Sequence, residues 1–232
     1  MTSVRPHKFP GIFMVQDEDR ASLSTCSLVP RQSVYGEKVV RVEGNDYRLW
    51  STRRSKLAAG IKNGLREMPI QPGSRVLYLG ASSGTTVSHV SDIVVESGVV
   101  YAVEFSSQVA RKLIWLAETR DNIIPIINDA RHPSRYAALV GGPIDIVYQD
   151  VAQSNQAKIF LDNLASFCTL GEFGILAIKA RSIDSTSAID DIYNREIAEL
   201  ASNGMEIIDN VNLEPLEKDH RLVVVRVAEE SW

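Results

Sequence analysis

The stretch VLYLGASSGTTVSHVSDIV, at residues 76–94, decides the fold of this chain. It joins a short apolar run at residues 76–79 to a turn of small residues and then to a helical pattern at residues 87–95. A buried strand, a glycine turn and a helix form the repeating unit of parallel α/β sheets. Small residues let the backbone approach a ligand, and the free N–H groups at the helix start favour a polar or anionic group. We therefore predict a ligand-binding turn directly after Leu79.

The same alternation continues toward the C-terminus. Short, nearly continuous apolar runs occupy residues 99–103, 123–127, 144–148 and 173–178, as expected for strands buried on both faces of a parallel sheet. Helical patterns lie between them at residues 108–117, 157–167 and 189–200, and Val109, Leu113 and Leu116 fall on one face of the first. The runs at residues 205–211 and 222–227 have no helix between them, which predicts an antiparallel hairpin at the sheet edge. The sequence thus predicts an α/β fold with a doubly wound, seven-stranded Rossmann-like sheet.

The N-terminal region follows a different pattern. Apolar runs at residues 12–15, 38–42 and 47–50, separated by turn formers, predict a small β-rich domain over residues 1–52, built as a meander or a pair of hairpins. Leu57, Ile61 and Leu65 then recur at a spacing of four, which predicts an amphipathic helix within residues 51–65. The second predicted domain, residues 53–232, begins with this helix.

The composition limits the class of protein. The 232 residues include 25 basic and 29 acidic side chains, a net charge of −4 that is unlike a stand-alone nucleic-acid binder. The charge is uneven, because residues 1–66 hold 12 basic and 6 acidic side chains. No run approaches the roughly 20 apolar residues of a membrane span, and the N-terminus lacks the apolar core of a signal peptide, so we expect a cytoplasmic protein. Cys26 and Cys168 lie far apart and are expected to be buried thiols rather than part of a zinc site or a disulfide.

Successive predicted strand ends carry side chains of the kind that bind ligands. Glu104, roughly 20 residues after the glycine turn, is placed to accept both hydroxyls of a ribose, and Phe105 beside it is placed to cover an adenine. The next strand ends at residues 128–130, where a carboxylate can accept from an adenine amino group, and the one after that at residues 149–153. Ser82 stands where the second glycine of a dinucleotide fingerprint belongs, which disfavours a nicotinamide-dependent reductase.

The chain resembles the fibrillarin-like RNA 2′-O-methyltransferases over residues 13–227. The matching segments are YRLW at 47–50, RSKLAA at 54–59, the stretch at 76–94, YAVEFS at 101–106, NDARHP at 128–133, DIVYQDVAQ at 145–153, AIKARSID at 177–184 and LEPLEKDH at 213–220. The resemblance implies an enzyme that methylates ribose 2′-hydroxyls in rRNA and tRNA, with S-adenosyl-L-methionine as methyl donor and no metal. Ser82-Ser83 replaces the Ala-Ala or Ala-Ser that the family often has. The Gly/Arg-rich N-terminal tail of eukaryotic members is absent, so the chain is similar to the archaeal form.

The resemblance also implies the cofactor-binding residues. Thr86 and Val87 would lie near the amino-acid and sulfonium end of the cofactor, Glu104 and Phe105 at its ribose and adenine. The full set is Gly80, Ala81, Thr85, Thr86, Val87, Glu104, Phe105, Asp129, Ala130, Gln149, Asp150, Val151, Ala152 and Gln153.

Four residues are the predicted catalytic set: Lys56, Asp150, Lys179 and His220. Lys179 follows a buried strand, so its charge must leave the core or be paired, and Asp150 at the neighbouring strand end supplies a partner. In the resembling family Lys56 and Lys179 both face the methyl group, with Asp150 between them. Two ammonium groups in one pocket disfavour each other's charge, so one can act as base while the other stabilises the developing alkoxide. His220 is the predicted fourth member, whereas His89 is expected to serve packing.

The resemblance implies partners as well. They are a Nop-domain scaffold protein, a kink-turn-binding subunit similar to a ribosomal protein, and a C/D-box guide RNA that pairs with the substrate RNA. The alternative is a structural subunit of a ribonucleoprotein that binds S-adenosylmethionine without turnover. The basic N-terminal side chains are predicted to border the active-site mouth, with part of them meeting the scaffold: Arg41, Arg48, Arg53, Arg54, Lys56, Lys62 and Arg66.

Overall fold

A five-stranded antiparallel sheet forms the N-terminal part of the computed structural model. The structure describes residues 2–17 and 20–228; residues 1 and 229–232, the ends of the two predicted domains, lie outside the described residues, as do residues 18–19. The strands are β1 (Ser3–Pro6), β2 (Ile12–Asp17), β3 (Arg20–Cys26), β4 (Val39–Val42) and β5 (Asn45–Leu49), in the order β1-β2-β3-β5-β4. The β-rich region is confirmed, but its pattern did not reveal β1 or β3. In β3 the buried side chains include Ser24 and Thr25, so its inward face is not apolar.

A seven-stranded sheet follows. Its strands are β6 (Arg75–Leu79), β7 (Val99–Glu104), β8 (Ile123–Ile127), β9 (Ile146–Gln149), β10 (Phe173–Lys179), β11 (Met205–Asn212) and β12 (His220–Val227). The order is β11-β12-β10-β9-β6-β7-β8, with β6 to β10 parallel and β12 antiparallel to both of its neighbours. The predicted α/β class and the antiparallel edge hairpin are therefore confirmed. The carboxyl ends of β6, β7, β8, β9 and β10 meet along one edge of the sheet, where α/β folds bind ligands.

Six α-helices connect the strands within the described residues: α1 (Lys56–Lys62), α2 (Thr85–Val94), α3 (Ser107–Ala117), α4 (Gln156–Phe167), α5 (Ala180–Ile183) and α6 (Ile189–Ser202). Helix α1 is shorter than its apolar pattern, and Ser55 caps its start, because the Ser55 Oγ accepts from the Ala58 backbone N–H. Leu57, Ile61 and Leu65 are buried as predicted. Because a capping serine fixes where a helix starts, Ser55 determines the position of Lys56 in its first turn.

The predicted face of α3 is buried over only part of its length. Leu113 and Leu116 pack into the core, but their inward neighbour is Ala110, and Val109 is 37% exposed. Val109 belongs to the first turn of the helix, close in sequence to the exposed strand-end residue Phe105. The core contact of this face therefore begins at Ala110 and leaves Val109 at the exposed start of the helix.

A buried ionic cluster joins the two sheets. Arg48 of β5 contacts Asp92 of α2 at 2.8 Å, and Arg120 contacts the other oxygen of the same carboxylate at 2.6 Å. All three side chains have no exposed surface, and Glu37 pairs with the Arg48 Nε at 2.7 Å. We call Arg48, Asp92 and Arg120 the buried cluster. The prediction that Arg48 contributes to a basic surface at the active-site mouth is wrong, because its guanidinium is enclosed by these carboxylates.

His89 lies beside the buried cluster and has the predicted packing role. Its ring stacks on Trp50 at 4.8 Å between centroids, its Nδ1 lies 2.8 Å from the Thr25 hydroxyl, and its Nε2 lies 2.8 Å from the Tyr35 hydroxyl. Burial lowers the pKa of His89 well below its ordinary value, and the nearby guanidinium groups of Arg48 and Arg120 lower it further. His89 is therefore a neutral packing residue at pH 7.

The two cysteines differ in burial. Cys168 is buried as expected, and burial raises the pKa of its thiol to about 12. Cys26, at the end of β3, is only partly buried, so the prediction of a buried thiol is wrong for Cys26.

In the part of the chain that the structure describes, every helix is too short or too polar to cross a membrane.

Candidate active site

The turn after β6 approaches the end of β9 closely. Gly80 has a φ of +82°, and a Cβ atom at this position would lie 2.7 Å from the Asp150 carbonyl oxygen. Only glycine meets both conditions without displacing backbone. Gly84, which precedes α2, has a φ of +89°, and a Cβ there would clash with Leu116 at 2.5 Å. The predicted ligand turn is therefore a tight strand-to-helix connection packed against Asp150.

Glu104 is held at the end of β7 by backbone donors. The Ser82 N–H donates to one carboxylate oxygen and the Ser106 N–H to the other, each at 2.8 Å. Ser82 itself has a φ of +52°, an uncommon conformation for a residue with a side chain, which turns its N–H toward Glu104. Each carboxylate oxygen keeps a further lone pair, so Glu104 is fixed and can still accept from a ligand hydroxyl.

A cleft of about 290 Å³ opens at these strand ends, close to the smallest volumes that hold small-molecule ligands. Most of the predicted cofactor-binding residues line it: Gly80, Glu104, Phe105, Asp129, Ala130, Asp150, Val151, Ala152 and Gln153. Phe105 is 72% exposed, which leaves its ring free to cover a planar ligand. The catalytic candidate Lys179 lines the same cleft.

The other predicted cofactor-binding residues do not line this cleft. Ala81, Thr86, Val87 and Gln149 are buried, and Thr85 lines a neighbouring cavity. Thr86 donates to the Ser55 hydroxyl at 3.1 Å, and the Gln149 side-chain amide donates to the Gln156 carbonyl at 2.8 Å. In this structure the side chains of Thr86 and Gln149 support the walls of the site.

Asp129 is already paired with a cation. Arg131 donates to both of its carboxylate oxygens, with the shortest contact at 2.7 Å. These hydrogen bonds lower the pKa of Asp129, so it is ionised at pH 7. An adenine amino group at this carboxylate, as the sequence predicts, would share it with Arg131.

Lys56, Asp150 and Lys179 meet at the cleft, and we call them the catalytic cluster. The Lys56 Nζ donates to an Asp150 carboxylate oxygen at 3.2 Å, and the Lys179 Nζ lies 2.8 Å from the other oxygen. Lys179 also donates to the Asp150 backbone carbonyl at 2.9 Å. The side chains are 15–17% exposed, so solvent or a ligand reaches them. Lys56 and Asp150 lie 94 positions apart in the chain, and the fold brings them together as predicted.

His220 lies at the edge of the catalytic cluster. It pairs with Lys179 in the register between β10 and β12, and its Nδ1 donates to the Lys218 carbonyl. Burial lowers the pKa of His220, and the charge of Lys56 lowers it further. The ring is therefore neutral at pH 7, with its proton on Nδ1 and an acceptor lone pair on Nε2.

Gln156 is a buried side chain that the sequence did not single out. Its amide nitrogen donates to the Gln153 carbonyl at 2.9 Å and to the Lys179 carbonyl at 3.2 Å, and its amide oxygen accepts from the Lys179 N–H at 2.9 Å. One amide thus ties the cofactor loop at Gln153 to the strand end that carries Lys179. In the sequence, a glutamine at the start of a helix is typical of an ordinary solvated residue, so the pattern did not indicate that Gln156 is buried.

Two tyrosines form the floor beneath Asp150. Tyr78 and Tyr148 stack at 4.5 Å between ring centroids, and burial raises the pKa of both hydroxyls, with a smaller contribution from the Asp150 charge. Both tyrosines are therefore neutral at pH 7.

Among residues 2–17 and 20–228, no group of three or more His, Cys, Asp or Glu side chains is arranged to hold a metal ion.

The seven-stranded sheet with its antiparallel hairpin, and a cleft at the parallel strand ends, define a Rossmann-like methyltransferase fold. The chain belongs to the Fibrillarin family, whose model matches residues 4–229.

Similar proteins share nearly the whole length. A fibrillarin-like rRNA/tRNA 2′-O-methyltransferase of Pyrococcus furiosus is 49% identical over 227 residues, which cover 97% of this chain and 99% of that protein. The crystal structure of Aeropyrum pernix fibrillarin with natively bound S-adenosyl-L-methionine has a TM-score of 0.90 and 44% identity, and covers 97% of this chain and 99% of that one. A fibrillarin/Nop5p complex has a TM-score of 0.87 and 37% identity, and covers 96% of this chain and 100% of that one.

Proposed function

We propose that this chain transfers a methyl group from S-adenosyl-L-methionine to ribose 2′-hydroxyls in rRNA and tRNA. The observation that carries the proposal is the catalytic cluster, which lies at the end of the cofactor-type cleft in a member of the Fibrillarin family. A ribonucleoprotein subunit without turnover would need the cleft but not two lysines around one carboxylate.

The residues of the cleft fit S-adenosylmethionine, which supplies a methyl group on a positively charged sulfur. Glu104, held by two backbone N–H groups, would accept the ribose hydroxyls, and exposed Phe105 would cover the adenine. Gly80 leaves room for the turn to lie against Asp150. The Asp150 carboxylate offsets the charge of Lys56 and Lys179 and so reduces the positive charge that a sulfonium would meet. We also propose that Ala81, Thr85, Thr86, Val87 and Gln149 serve cofactor binding, through backbone and packing that shape the walls of the cleft.

The catalytic cluster would handle the proton of the ribose hydroxyl. A hydroxyl is a poor nucleophile, so the site must take up its proton as the oxygen attacks and must align the reacting atoms. A lysine amine can accept that proton once it is neutral, and the second lysine, fixed by Asp150, stabilises the negative charge on the oxygen. Asp150 contacts both lysines, so it positions base and stabiliser together.

His220 offers a second acceptor. Its neutral Nε2 and its place opposite Lys179 would let it orient the hydroxyl or receive the proton from the lysine. We retain it as the fourth member of the catalytic set on this basis.

The target would be chosen by partners. We propose a Nop-domain scaffold protein, a kink-turn-binding subunit and a C/D-box guide RNA that pairs with the substrate, working in the cytoplasm of an archaeal cell. The similarity to fibrillarin in the fibrillarin/Nop5p complex supports a Nop-domain scaffold as partner.

We also propose that residues 1–52 form the β-rich domain and residues 53–232 the methyltransferase domain.

A guided methylation assay tests the function. The chain is mixed with a Nop-domain protein, a kink-turn-binding protein, a C/D-box guide RNA and a target RNA, and transfer of labelled methyl is mapped by its resistance to alkaline cleavage. We expect one 2′-O-methyl group per target, at the guided nucleotide. Cofactor binding without transfer would support the structural subunit, and efficient methylation of unguided RNA by the isolated chain would contradict delegated target choice.

A further inference from the structure

Two adjoining cavities form a groove on the N-terminal side of the active site. The larger, about 910 Å³, lies between β2, β3 and the segment that precedes α1. The smaller, about 430 Å³, lies between the segment around Tyr35 and helix α3. Tyr35 and Arg54 line both cavities, so they mark one continuous surface that we call the Arg54 groove.

The Arg54 groove passes next to the catalytic cluster. Thr85 lines it, and the following residue, Thr86, donates to the Ser55 hydroxyl at 3.1 Å. Ser55 separates Arg54, in the groove, from Lys56, in the catalytic cluster. The groove therefore adjoins the segments that carry Lys56 and Thr86.

Unpaired cations line the groove. Arg53 and Lys62 face the larger cavity and Lys112 the smaller, and no carboxylate among residues 2–17 and 20–228 lies within 4 Å of these three charged groups. Arg54 donates to the Tyr35 carbonyl at 2.9 Å and lies over its ring at 5.2 Å. In a chain with a net charge of −4, this concentration of free positive charge favours a polyanion.

An exposed tryptophan ends the groove. Trp115 of α3 is 65% exposed, and Lys112 precedes it by one helical turn. An exposed aromatic ring beside a free cation is the combination that binds single-stranded nucleic acid, because the ring stacks on a base while the cation contacts a phosphate.

We propose that the Arg54 groove binds a single-stranded segment of the substrate RNA that flanks its pairing with the guide RNA. Arg53, Arg54 and Lys62 contact successive phosphates, and Trp115 stacks on an unpaired base. This inference rests on the proposed function, because it takes the polyanion to be the RNA whose ribose reaches the catalytic cluster.

The test uses two readouts. The first is the KM for target RNA in guided methylation by the assembled ribonucleoprotein. The second is binding of a fluorescein-labelled, single-stranded RNA of about 12 nucleotides to the isolated chain, followed by anisotropy. The test variants are Trp115→Ala and the double variant Arg53→Ala/Lys62→Ala. Trp115→Phe, which keeps a stacking ring, and Arg111→Ala, which removes an exposed α3 cation outside the groove, are the matched controls.

We expect Trp115→Ala to raise the KM for RNA and weaken the isolated chain's RNA affinity about 10-fold. The double variant should weaken binding and reduce the slope of log affinity against log salt by about 1.4. The KM for S-adenosylmethionine and both control variants should stay near wild type.

Unchanged RNA affinity and KM in both test variants would overturn the groove assignment. Loss of Nop-domain binding by either variant, with unchanged RNA affinity, would assign the groove to that protein instead. An inactive wild-type assembly would refute the proposed function, while the anisotropy measurement would still decide whether the groove binds RNA.

Discussion

Two clusters in this molecule have the same composition, an aspartate between two basic side chains, and different surroundings. The catalytic cluster is 15–17% exposed at the cleft, whereas the buried cluster has no exposed surface. The cations also differ. Arginine stays charged and binds a carboxylate with a planar fork, which suits a permanent buried pair, whereas a lysine amine can release and take up a proton. The difference teaches that solvent access and the type of cation together distinguish the cluster proposed to react from the one that only supports the fold.

Asp150→Ala should have the largest effect. Without the carboxylate the two lysines lose their common anchor, so we expect kcat/KM in guided methylation to fall at least about 10³-fold, roughly 4 kcal/mol, with little change in the free energy of unfolding. The assay is paired with urea unfolding of the same sample. A variant with near-native turnover would remove Asp150 from the mechanism.

Asp92→Ala tests the buried cluster and should lower the stability of the protein rather than its activity. It leaves two guanidinium groups buried without a shared counter-ion, which costs about 3–5 kcal/mol in the free energy of unfolding. Methyl transfer per folded molecule should stay near wild type, measured well below the midpoint of unfolding. Unchanged stability would show that the buried cluster does not hold the two sheets together.

Gln156→Leu sharpens the comparison by leaving the catalytic cluster intact and removing its support. We expect a 10- to 100-fold loss in kcat, about 1.4–2.7 kcal/mol, because Lys179 and Gln153 lose a common partner. Gln156→Glu replaces the donor to the Gln153 and Lys179 carbonyls with an acceptor, so it should lose activity as well. Wild-type kcat in Gln156→Leu would contradict a positioning role.

The pH dependence of stability should show the smallest effect, and it reports on His89 beside the buried cluster. Burial holds the folded-state pKa of His89 well below 6.5, so below that pH the unfolded chain binds a proton that the folded chain does not. The free energy of unfolding should therefore fall as pH falls below about 6.5, by at most about 1.4 kcal/mol per pH unit from this residue.

The His89→Gln variant isolates that contribution. Burial also lowers the pKa of His7 and His220, so the His89→Gln variant keeps a smaller slope of the same sign from those residues. Urea unfolding at pH 5.5 and 7.5 gives the free energy of unfolding at each pH. Its difference between the two pH values should be smaller for His89→Gln than for wild type, and His7→Gln serves as the control. Equal differences in wild type and His89→Gln would contradict a neutral, buried His89.

The sequence predicted the α/β sheet well because parallel strands buried on both faces must be apolar along their length. It predicted that the strand-end residues would lie together for a related reason, since topology sends the carboxyl ends of β6 to β10 to one edge. Strand β3 was missed because its buried Ser24 and Thr25 are satisfied by hydrogen bonds rather than by apolar contact, and no alternation of hydrophobicity marks it.

The sequence could not separate the two clusters. Arg48 stands in the same basic region as Arg54, and the partner that buries it lies 44 positions away. Gln156 was missed for the same reason, because its bonds to Lys179 cross 23 positions. Local pattern reports on local structure, whereas the burial of a charge or an amide is decided by distant parts of the chain.

The long sequence separation within the catalytic cluster has a consequence for the life of the protein in the cell. Lys56, Asp150 and Lys179 come from α1, the end of β9 and the end of β10, so they meet only after the central strands have paired and α1 has docked. A chain still emerging from the ribosome, or one that has lost the pairing of β9 with β10, has no catalytic cluster. Such a chain should therefore be unable to methylate RNA, and activity itself becomes a stringent measure of complete folding.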